Sequence, residues 1–313
     1  MTKAPAFAAV DWGTTSFRLW LLAEDGGVVA ERRSGEGLTS LTREAFAGVL
    51  ERHLEAAGAS TSLPVVICGM AGSRQGWIEA RYLDLPARLD DIVDNAVAAP
   101  GTNRRVLILP GLAQRVEERA DVIRGEETQL IGAATRFGAA GASGIYCMPG
   151  THSKWVRTQE GRVTGFSTYM TGELFSVMAA HSILAHTVAG AETDPDLPAF
   201  AEAVVAGHGD PARLTNQLFS IRGRQLLFGE TPEAASARLS GFIIGAELAG
   251  SGCTEGGGAV RLIASGRLAA LYRSAFAAIG VSVDEIDADE AVRLGLAQAA
   301  RSLRLTDTGR LSA

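Results

Sequence analysis

Two short segments of this chain set hydroxyl groups on a glycine turn directly after an apolar run. The first is Asp11-Trp12-Gly13-Thr14-Thr15-Ser16, entered from Phe7 to Val10. Glycine lets a backbone come close to a ligand, and successive N–H groups with Thr and Ser hydroxyls form an anion-binding concavity. Asp11 has the chemistry to hold Mg²⁺ through water, because that ion gives up its hydration reluctantly. Taken alone, the segment reads equally well as a Thr-rich hairpin whose Asp caps a turn. The second segment is Pro149-Gly150-Thr151-His152-Ser153-Lys154-Trp155, with the same turn chemistry and two candidate cations, His152 and Lys154. Two such loops at equivalent corners of two repeated units suit one polyphosphate gripped from both sides, which favours the phosphate reading. Lys154 then neutralises phosphate charge; its other reading is a solvated hairpin lysine.

Between the loops runs Arg124-Gly125-Glu126-Glu127-Thr128-Gln129, just ahead of a helical pattern. Phosphoryl transfer to an alcohol needs a base that orients the hydroxyl, and one of Glu126 and Glu127 is expected to supply it. The competing reading is a pair of acids favoured at a helix start by the macrodipole. Gly69-Met70-Ala71-Gly72-Ser73-Arg74-Gln75-Gly76-Trp77 begins where a buried strand ends, the end of an α/β sheet at which ligands bind. Arg74 offers a fork for a carboxylate, and Ser73 and Gln75 can read hydroxyls; a glycine-rich surface loop with a structural Arg is the alternative. No GxxxxGK[ST] loop occurs, and Gly207-His208-Gly209-Asp210-Pro211-Ala212 matches GxGxxA only formally, since it follows a helix and contains proline. His53, His181, His186 and His208 read as surface or packing residues.

The elements that must position these residues alternate between strand and helix, which is the pattern of an α/β fold. Phe7 to Val10, Phe17 to Leu22 and Val28 to Ala30 form a meander turned by Gly13 to Ser16 and by Asp25-Gly26-Gly27. A helix is expected from Thr42 to about Ala57, then buried strands at Leu63 to Cys68 and Val106 to Leu109, and a helix from Gln129 to Phe137. After the small-residue linker Gly138 to Gly144 the opening pattern returns as strands Ile145–Met148, Trp155–Thr158 and Val163–Thr168, with Glu160-Gly161 as the second turn. Aligning Gly13 to Ser16 with Gly150 to Ser153 exposes a weak two-copy repeat. The remainder reads as helices at Gly172–His186, Pro198–Ala206, Ser236–Ala249, Arg267–Ile279 and Glu290–Leu303. Strands are expected at Val260–Ala264 and Ser282–Ile286, and loops at Ala189–Leu197 and Ser251–Gly258.

Composition narrows the classes of partner. The chain has 313 residues, 47% hydrophobic and 20% charged, with 29 Lys+Arg against 35 Asp+Glu and a formal charge of −6. That is the balance of a globular protein of one or two domains, and it argues against nucleic acid or an anionic membrane surface as partner. A locally basic site for a small anion is still compatible with it. Three cysteines, Cys68, Cys147 and Cys253, are far apart and form no CxxC, so neither a disulfide framework nor a cysteine zinc site is expected. No apolar stretch approaches the roughly 18 residues of a membrane helix. The run before Asp11 is too short for a signal-peptide core, and the cytoplasm is the expected compartment. Oligomeric state is left open, a homo-oligomer included.

The two loops, the Gly69–Trp77 and Arg124–Gln129 blocks, and Thr171-Gly172-Glu173 resemble, in order and spacing, the 2-dehydro-3-deoxygalactonokinase family. The resemblance covers most of the chain and is weaker in the C-terminal third, where Leu262-Ile263-Ala264-Ser265-Gly266-Arg267 carries it. It implies two ribonuclease-H-like domains of the actin-like ATPase class around a central nucleotide cleft, at residues 1–140 and 141–313, with the last helix free to pack back on the first domain. It also implies ATP-dependent phosphorylation of 2-dehydro-3-deoxy-D-galactonate at its 6-hydroxyl, with ATP and Mg²⁺ as cofactors. By that likeness Gly13, Thr14, Thr15, Ser16, Gly150, Thr151, His152 and Ser153 are the phosphate loops, and Ser265 and Gly266 lie near the adenosine. Asp11 is the metal-facing acid, and Arg18, Ser73, Arg74, Gln75, Trp77, Thr171 and Glu173 fall on the sugar-acid side. Related carbohydrate kinases place an Asp after a Gly where this chain has Glu126 and Glu127; Glu126 is preferred because it directly follows Gly125. An actin-like nucleotide switch without a sugar substrate and a kinase for another 2-keto-3-deoxy acid are the alternatives.

Overall fold

Phe7 to Trp12 is six residues of unbroken burial, the signature of a strand covered on both faces. It is the middle of the first of two compact units in the computed structural model, which describes residues 3–254 and 259–305. The first unit takes in residues up to Ser143, the segment Thr158–Gly165 and the chain from Ala288 on. Its main sheet holds β1 (Phe7–Trp12), β2 (Phe17–Leu22), β3 (Val28–Ser34), β4 (Val65–Gly69) and β5 (Val106–Ile108) in the order β3-β2-β1-β4-β5, with Val97–Ala98 at the edge beside β5. β2 pairs antiparallel to β1, whereas β4 and β5 run parallel to it.

Alternation along β1 divides its side chains between two layers. Ala8, Val10 and Trp12 enter a core with Phe46, Leu50 and Leu54 of α1 (Ala45–Ala56). Phe7, Ala9 and Asp11 take the other face, on which α2 (Glu126–Phe137) and the helix Ala288–Ser302 lie. Those two helices cross very closely. A methyl group on Gly132 or Gly295 would collide with the backbone oxygen of Ala291 or Thr128, so only glycine fits the crossing.

The second sheet, which belongs to the second unit except for the Thr158–Gly165 segment already given to the first, repeats the same plan. β6 (Gly144–Met148), β7 (Ser153–Gln159), β8 (Arg162–Tyr169), β9 (Val260–Ile263) and β10 (Val283–Ile286) stand in the order β8-β7-β6-β9-β10, with β6, β9 and β10 parallel. The β7–β8 turn has positive φ at both Glu160 and Gly161, as a two-residue hairpin turn with the sheet's twist requires. Its helices are α3 (Thr171–His181), α4 (Pro198–Gly209), α5 (Leu214–Phe228), α6 (Pro232–Ser251) and α7 (Gly266–Ala278). The chain then re-enters the first unit as α8 (Ala288–Ser302).

Several boundaries differ from the sequence expectation. The helix expected from Gln129 begins at Glu126, so both acids sit in its first turn. The helix expected over Gly172–His186 stops at His181 and continues as a 3₁₀ turn, because Ser182 adopts extended backbone and caps the turn through Leu184 N–H. α5 was not legible, since its apolar residues do not follow one buried stripe. A small sheet of Leu83–Asp84, Leu112–Gln114 and Asp121–Ile123 was also not foreseen, its strands being two or three residues long. Of the loop expected at Ser251–Gly258, residues 255–258 lie outside the described residues.

Candidate active site

In the first unit, the parallel strands bring Asp11 and Cys68 into register beside each other, with Arg18 opposite on β2. Asp11 is buried. Arg18 Nη2 donates to its Oδ2 at 2.5 Å, and Arg18 Nη1 donates to Asp289 of α8. Arg33 Nη2 reaches the other oxygen of Asp289 at 2.5 Å, and the Cys68 thiol faces Asp11 Oδ1 at 3.8 Å. Burial pushes the Asp11 carboxyl above its ordinary range, and the Arg18 guanidinium pulls it back. The arrangement fixes an acid at a sheet end through an ion-pair chain.

Directly after β4, Gly69 has φ +88° and packs so tightly that a Cβ there would lie 2.5 Å from the Trp12 carbonyl oxygen. Gly125 sits against it, a Cβ built there falling 3.6 Å from Gly69 Cα, so the start of α2 is brought to the end of β4. Glu126 is half-buried and its carboxylate accepts the Arg124 N–H at 3.0 Å. Glu127 is fully buried, accepting the Gly125 N–H at 2.7 Å and the Thr128 hydroxyl at 3.3 Å. Burial, then the charge of Glu126, pushes the Glu127 carboxyl up to about 8.

The hairpin tip closes through a Gly13 N–H to Ser16 carbonyl bond of 2.8 Å, leaving Thr14, Thr15 and Ser16 exposed. Leu38 and Thr39 N–H groups brace it from behind on the carbonyls of Gly13 and Thr14. In the Gly69 loop, Arg74 and Gln75 are exposed, and the Ser73 hydroxyl is buried with no partner among the described residues. Trp77 belongs to the hydrophobic core, its ring 6.2 Å from that of Phe46 and 6.4 Å from that of Trp12.

In the second unit the loop after β6 is built on one buried carboxylate. Glu247 of α6 accepts Trp155 Nε1–H and the Tyr272 hydroxyl, each at 2.7 Å, and the Thr171 hydroxyl. Tyr272 in turn bonds the Ser153 hydroxyl at 2.8 Å. One side chain therefore fixes the loop's last residue, the strand after it, the first residue of α3 and the middle of α7. Burial raises the Glu247 carboxyl, and its four hydroxyl and indole partners oppose the shift. His152 pairs with Glu173, whose N–H donates to the Thr151 carbonyl at 2.9 Å. Lys154 is buried on β7 and is no solvated hairpin residue.

A cavity of about 300 Å³ opens beside this loop. Gly150, Thr171 and Gly172 form one end, Phe175, Ile243, Ile244 and Leu271 supply apolar walls, and Glu192, Thr193 and Arg267 supply polar groups. Arg267 Nη2 donates to the Thr193 carbonyl at 2.9 Å. A mostly apolar pocket with few polar groups and a glycine–hydroxyl loop at one end suits a nucleoside bearing phosphates. Ser265 and Gly266 do not line it; Ser265 bonds Asp287 at 2.7 Å, and the next residues, Arg267 and Leu268, form the wall.

The profile of the 2-keto-3-deoxy-galactonokinase family matches residues 11–299. The chain belongs to that family. It is 53% identical over 308 residues to a Rhizobium meliloti (strain 1021) protein named a probable 2-dehydro-3-deoxygalactonokinase, covering 97% of this chain and 99% of that one. It is 36% identical over 298 residues to the Escherichia coli (strain K12) 2-dehydro-3-deoxygalactonokinase, covering 95% and 98%. A Sinorhizobium meliloti crystal structure assigned provisionally to the same enzyme superposes with a TM-score of 0.90 at 52% identity, over 95% of this chain and 99% of that one. The activator of 2-hydroxyisocaproyl-CoA dehydratase from Clostridium difficile (TM-score 0.50, 14% identity, 98% and 99% covered) shares the fold alone. So does component A of (R)-2-hydroxyglutaryl-CoA dehydratase from Acidaminococcus fermentans (TM-score 0.52, 13%, 95% and 98%). The family member described here is thus a kinase on an actin-like ATPase fold, and ATP is the phosphoryl donor that its family implies.

The kinase's expected residues fall into two groups. Asp11, Gly13 to Ser16, Arg18, Ser73 to Gln75, Trp77, Glu126 and Glu127 lie in the first unit; Gly150 to Lys154, Thr171, Glu173, Ser265 and Gly266 lie in the second. Thr171 and Glu173 there hold the second loop itself, through Glu247 and His152. Arg18 spends its fork on Asp11 and Asp289. Sequence reading missed Glu247 and Asp289. A lone acid in the apolar run Phe242-Ile243-Ile244-Gly245-Ala246-Glu247-Leu248 was the available signal for the first. Nothing local marks the second.

Proposed function

We propose that this kinase transfers the γ-phosphoryl group of ATP to the 6-hydroxyl of 2-keto-3-deoxy-galactonate, with the sugar acid on the first unit and the nucleotide on the second. The observation that carries the division is the cavity at Gly150, sized for a nucleoside and ending on a loop whose hydroxyls are pinned by Glu247. On the first unit, Arg74 presents an exposed guanidinium for the carboxylate, and Ser73 and Gln75 lie beside it for hydroxyls.

Glu126 is the proposed base: its carboxylate is partly accessible, whereas Glu127 is buried and carries its proton at neutral pH. Glu126 takes the proton of the attacking hydroxyl as the phosphoryl group is transferred, while Glu127, bonded to the Gly125 N–H, fixes the turn that aims it. Thr14 to Ser16 and Gly150 to Ser153 offer donors to phosphate oxygens, and Lys154 adds positive charge beside the second loop. Among the described residues no three His, Cys, Asp or Glu side chains form a metal cage. A single acid such as Asp11, reaching a hydrated ion already held by phosphates, is the binding pattern that Mg²⁺ favours. When bound, that ion neutralises charge on the phosphate oxygens. The cytoplasm, where ATP is supplied, is the proposed compartment.

A coupled ADP-release assay with a panel of 2-keto-3-deoxy sugar acids tests the reading. The galacto epimer should give the highest kcat/KM. ADP release unaffected by every sugar acid would leave a nucleotide switch instead.

A further inference from the structure

One face of α6 carries Ser240, Ile243, Ile244 and Glu247, the i, i+3, i+4, i+7 spacing that keeps side chains on one side of a helix. The first three line the cavity beside the Gly150 loop. Glu247 marks the loop end of that face, since it accepts the Thr171 and Tyr272 hydroxyls, and Tyr272 bonds Ser153. Seven residues at 1.5 Å each put Ser240 roughly 10 Å farther along the axis, two turns from that anchor. The two isoleucines fill the interval with apolar surface.

Ser240 differs from the other hydroxyls of this wall. It is 6% exposed, yet its side chain makes no hydrogen bond among the described residues. The Thr171 and Tyr272 hydroxyls are held by Glu247, and that of Thr193 pairs with Ser236 at 2.9 Å. Ser251 of the same helix turns back onto the Leu248 carbonyl at 2.7 Å, the kind of local bond that Ser240 does not make. A buried hydroxyl without a partner destabilises the chain that carries it, and a ligand that completes the pair removes the cost.

Resting on the nucleotide reading of this cavity, we infer that the Ser240 hydroxyl forms the hydrogen bond that recognises the nucleobase. With the phosphates at Gly150, the ribose and the flat face of the nucleobase run along Ile243 and Ile244, and the polar edge of the ring arrives at Ser240. A hydroxyl both donates and accepts, so it serves a ring nitrogen or an exocyclic amino group. Apolar pockets take their orientation from a small number of such groups. The charged groups of the same cavity stand at its rim: the Arg267 and Glu192 side chains are 50% and 92% exposed, and Arg267 Nη2 is committed to the Thr193 carbonyl.

Calorimetric binding of ADP and of inorganic tripolyphosphate to the full chain separates the two ends of the cavity. Ser240→Ala should raise the Kd for ADP about fivefold to tenfold and leave that for tripolyphosphate unchanged. Without nucleotide, the Tm of this variant should hold or rise, because an unpaired hydroxyl is gone and alanine favours a helix. The gain in Tm at a fixed ADP concentration should shrink. An unchanged ADP Kd in Ser240→Ala, where wild type binds ADP, overturns the assignment and leaves the nucleotide site standing. Equal weakening of ADP and tripolyphosphate overturns it too, since the hydroxyl then acts on the phosphate loop. So does a fall in Tm without nucleotide, which makes Ser240 part of the packing. A wild-type chain that binds no ADP removes the nucleotide reading of the cavity, and this role of Ser240 with it.

Discussion

Adjacent residues 126 and 127 have the same side chain and opposite situations. Glu127 is buried and pushed up to about 8, so its folded value lies above the unfolded one. The folded state then binds the proton more tightly, and stability is fullest below the unfolded value near 4.5 and falls as pH rises toward 8, by about 1.4 kcal/mol per pH unit. Wild-type Tm should therefore decline across this window, and the upward shifts of Asp11 and Glu247 carry the same sign. Glu127→Gln cannot titrate, and its Tm relative to wild type should climb by several degrees between pH 5 and pH 8; a constant difference would show that Glu127 ionises normally. Glu126→Gln should instead lose on the order of 10²–10⁴-fold in kcat with ATP affinity unchanged. If Glu127→Gln shows that kinetic loss and the wild-type rate rises with an apparent value near 8, the base is Glu127. Arg74→Ala should raise KM for the sugar acid at least tenfold and leave KM for ATP alone; a change in Tm only would make it a structural arginine. At this scale the sequence was legible where chemistry is local. Gly-hydroxyl turns and the Gly-Glu-Glu start announce themselves by type and spacing. Burial does not, and burial is what separates Glu126 from Glu127 and puts Trp77 in a core.

Elements were legible where one face is buried and opaque where it is not. β1, β4, β6 and β9 read directly as apolar runs, and both hairpin turns carry the glycine their positive φ demands. α5 did not, because its apolar residues lie on two faces and only one of them meets the core. α6 illustrates how an element can serve a loop far from it in sequence. Glu247→Leu fills the space but orphans the Trp155, Thr171 and Tyr272 donors, each a buried polar group then left unpaired. We expect a variant that is destabilised by a few kcal/mol, with KM for ATP raised well above tenfold and KM for the sugar acid little changed. Glu247→Gln keeps one acceptor and should recover part of the ATP affinity. Equal damage to both KM values would mean a general loss of folding rather than a loosened loop.

For the whole molecule, the notable connection is that the first unit joins the chain's beginning to its last described helix, with the Thr158–Gly165 segment between them in sequence. The repeat of strand order shows how a single plan served twice, and the weak echo of Gly13-Thr14-Thr15-Ser16 in Gly150-Thr151-His152-Ser153 was its visible trace. The return of α8 was expected from the family resemblance alone, since nothing in the local sequence marks the Gly132–Gly295 crossing. Asp289→Asn tests what that return does for chemistry. Arg18 then loses its second carboxylate and pulls harder on Asp11, so kcat should fall while Tm changes by no more than a few degrees. Unchanged kcat would confine Asp289 to holding the helix. The ion-pair chain Asp11–Arg18–Asp289 also has a meaning in time. Ribosomes build the chain from the amino end, so Asp11 and Arg18 emerge early and wait for nearly the whole message to be read before Asp289 joins them. An interrupted translation product carries both glycine–hydroxyl turns but lacks the carboxylate that completes the Arg18 ion pairs. In such fragments Arg18 still lacks one of its two carboxylate partners.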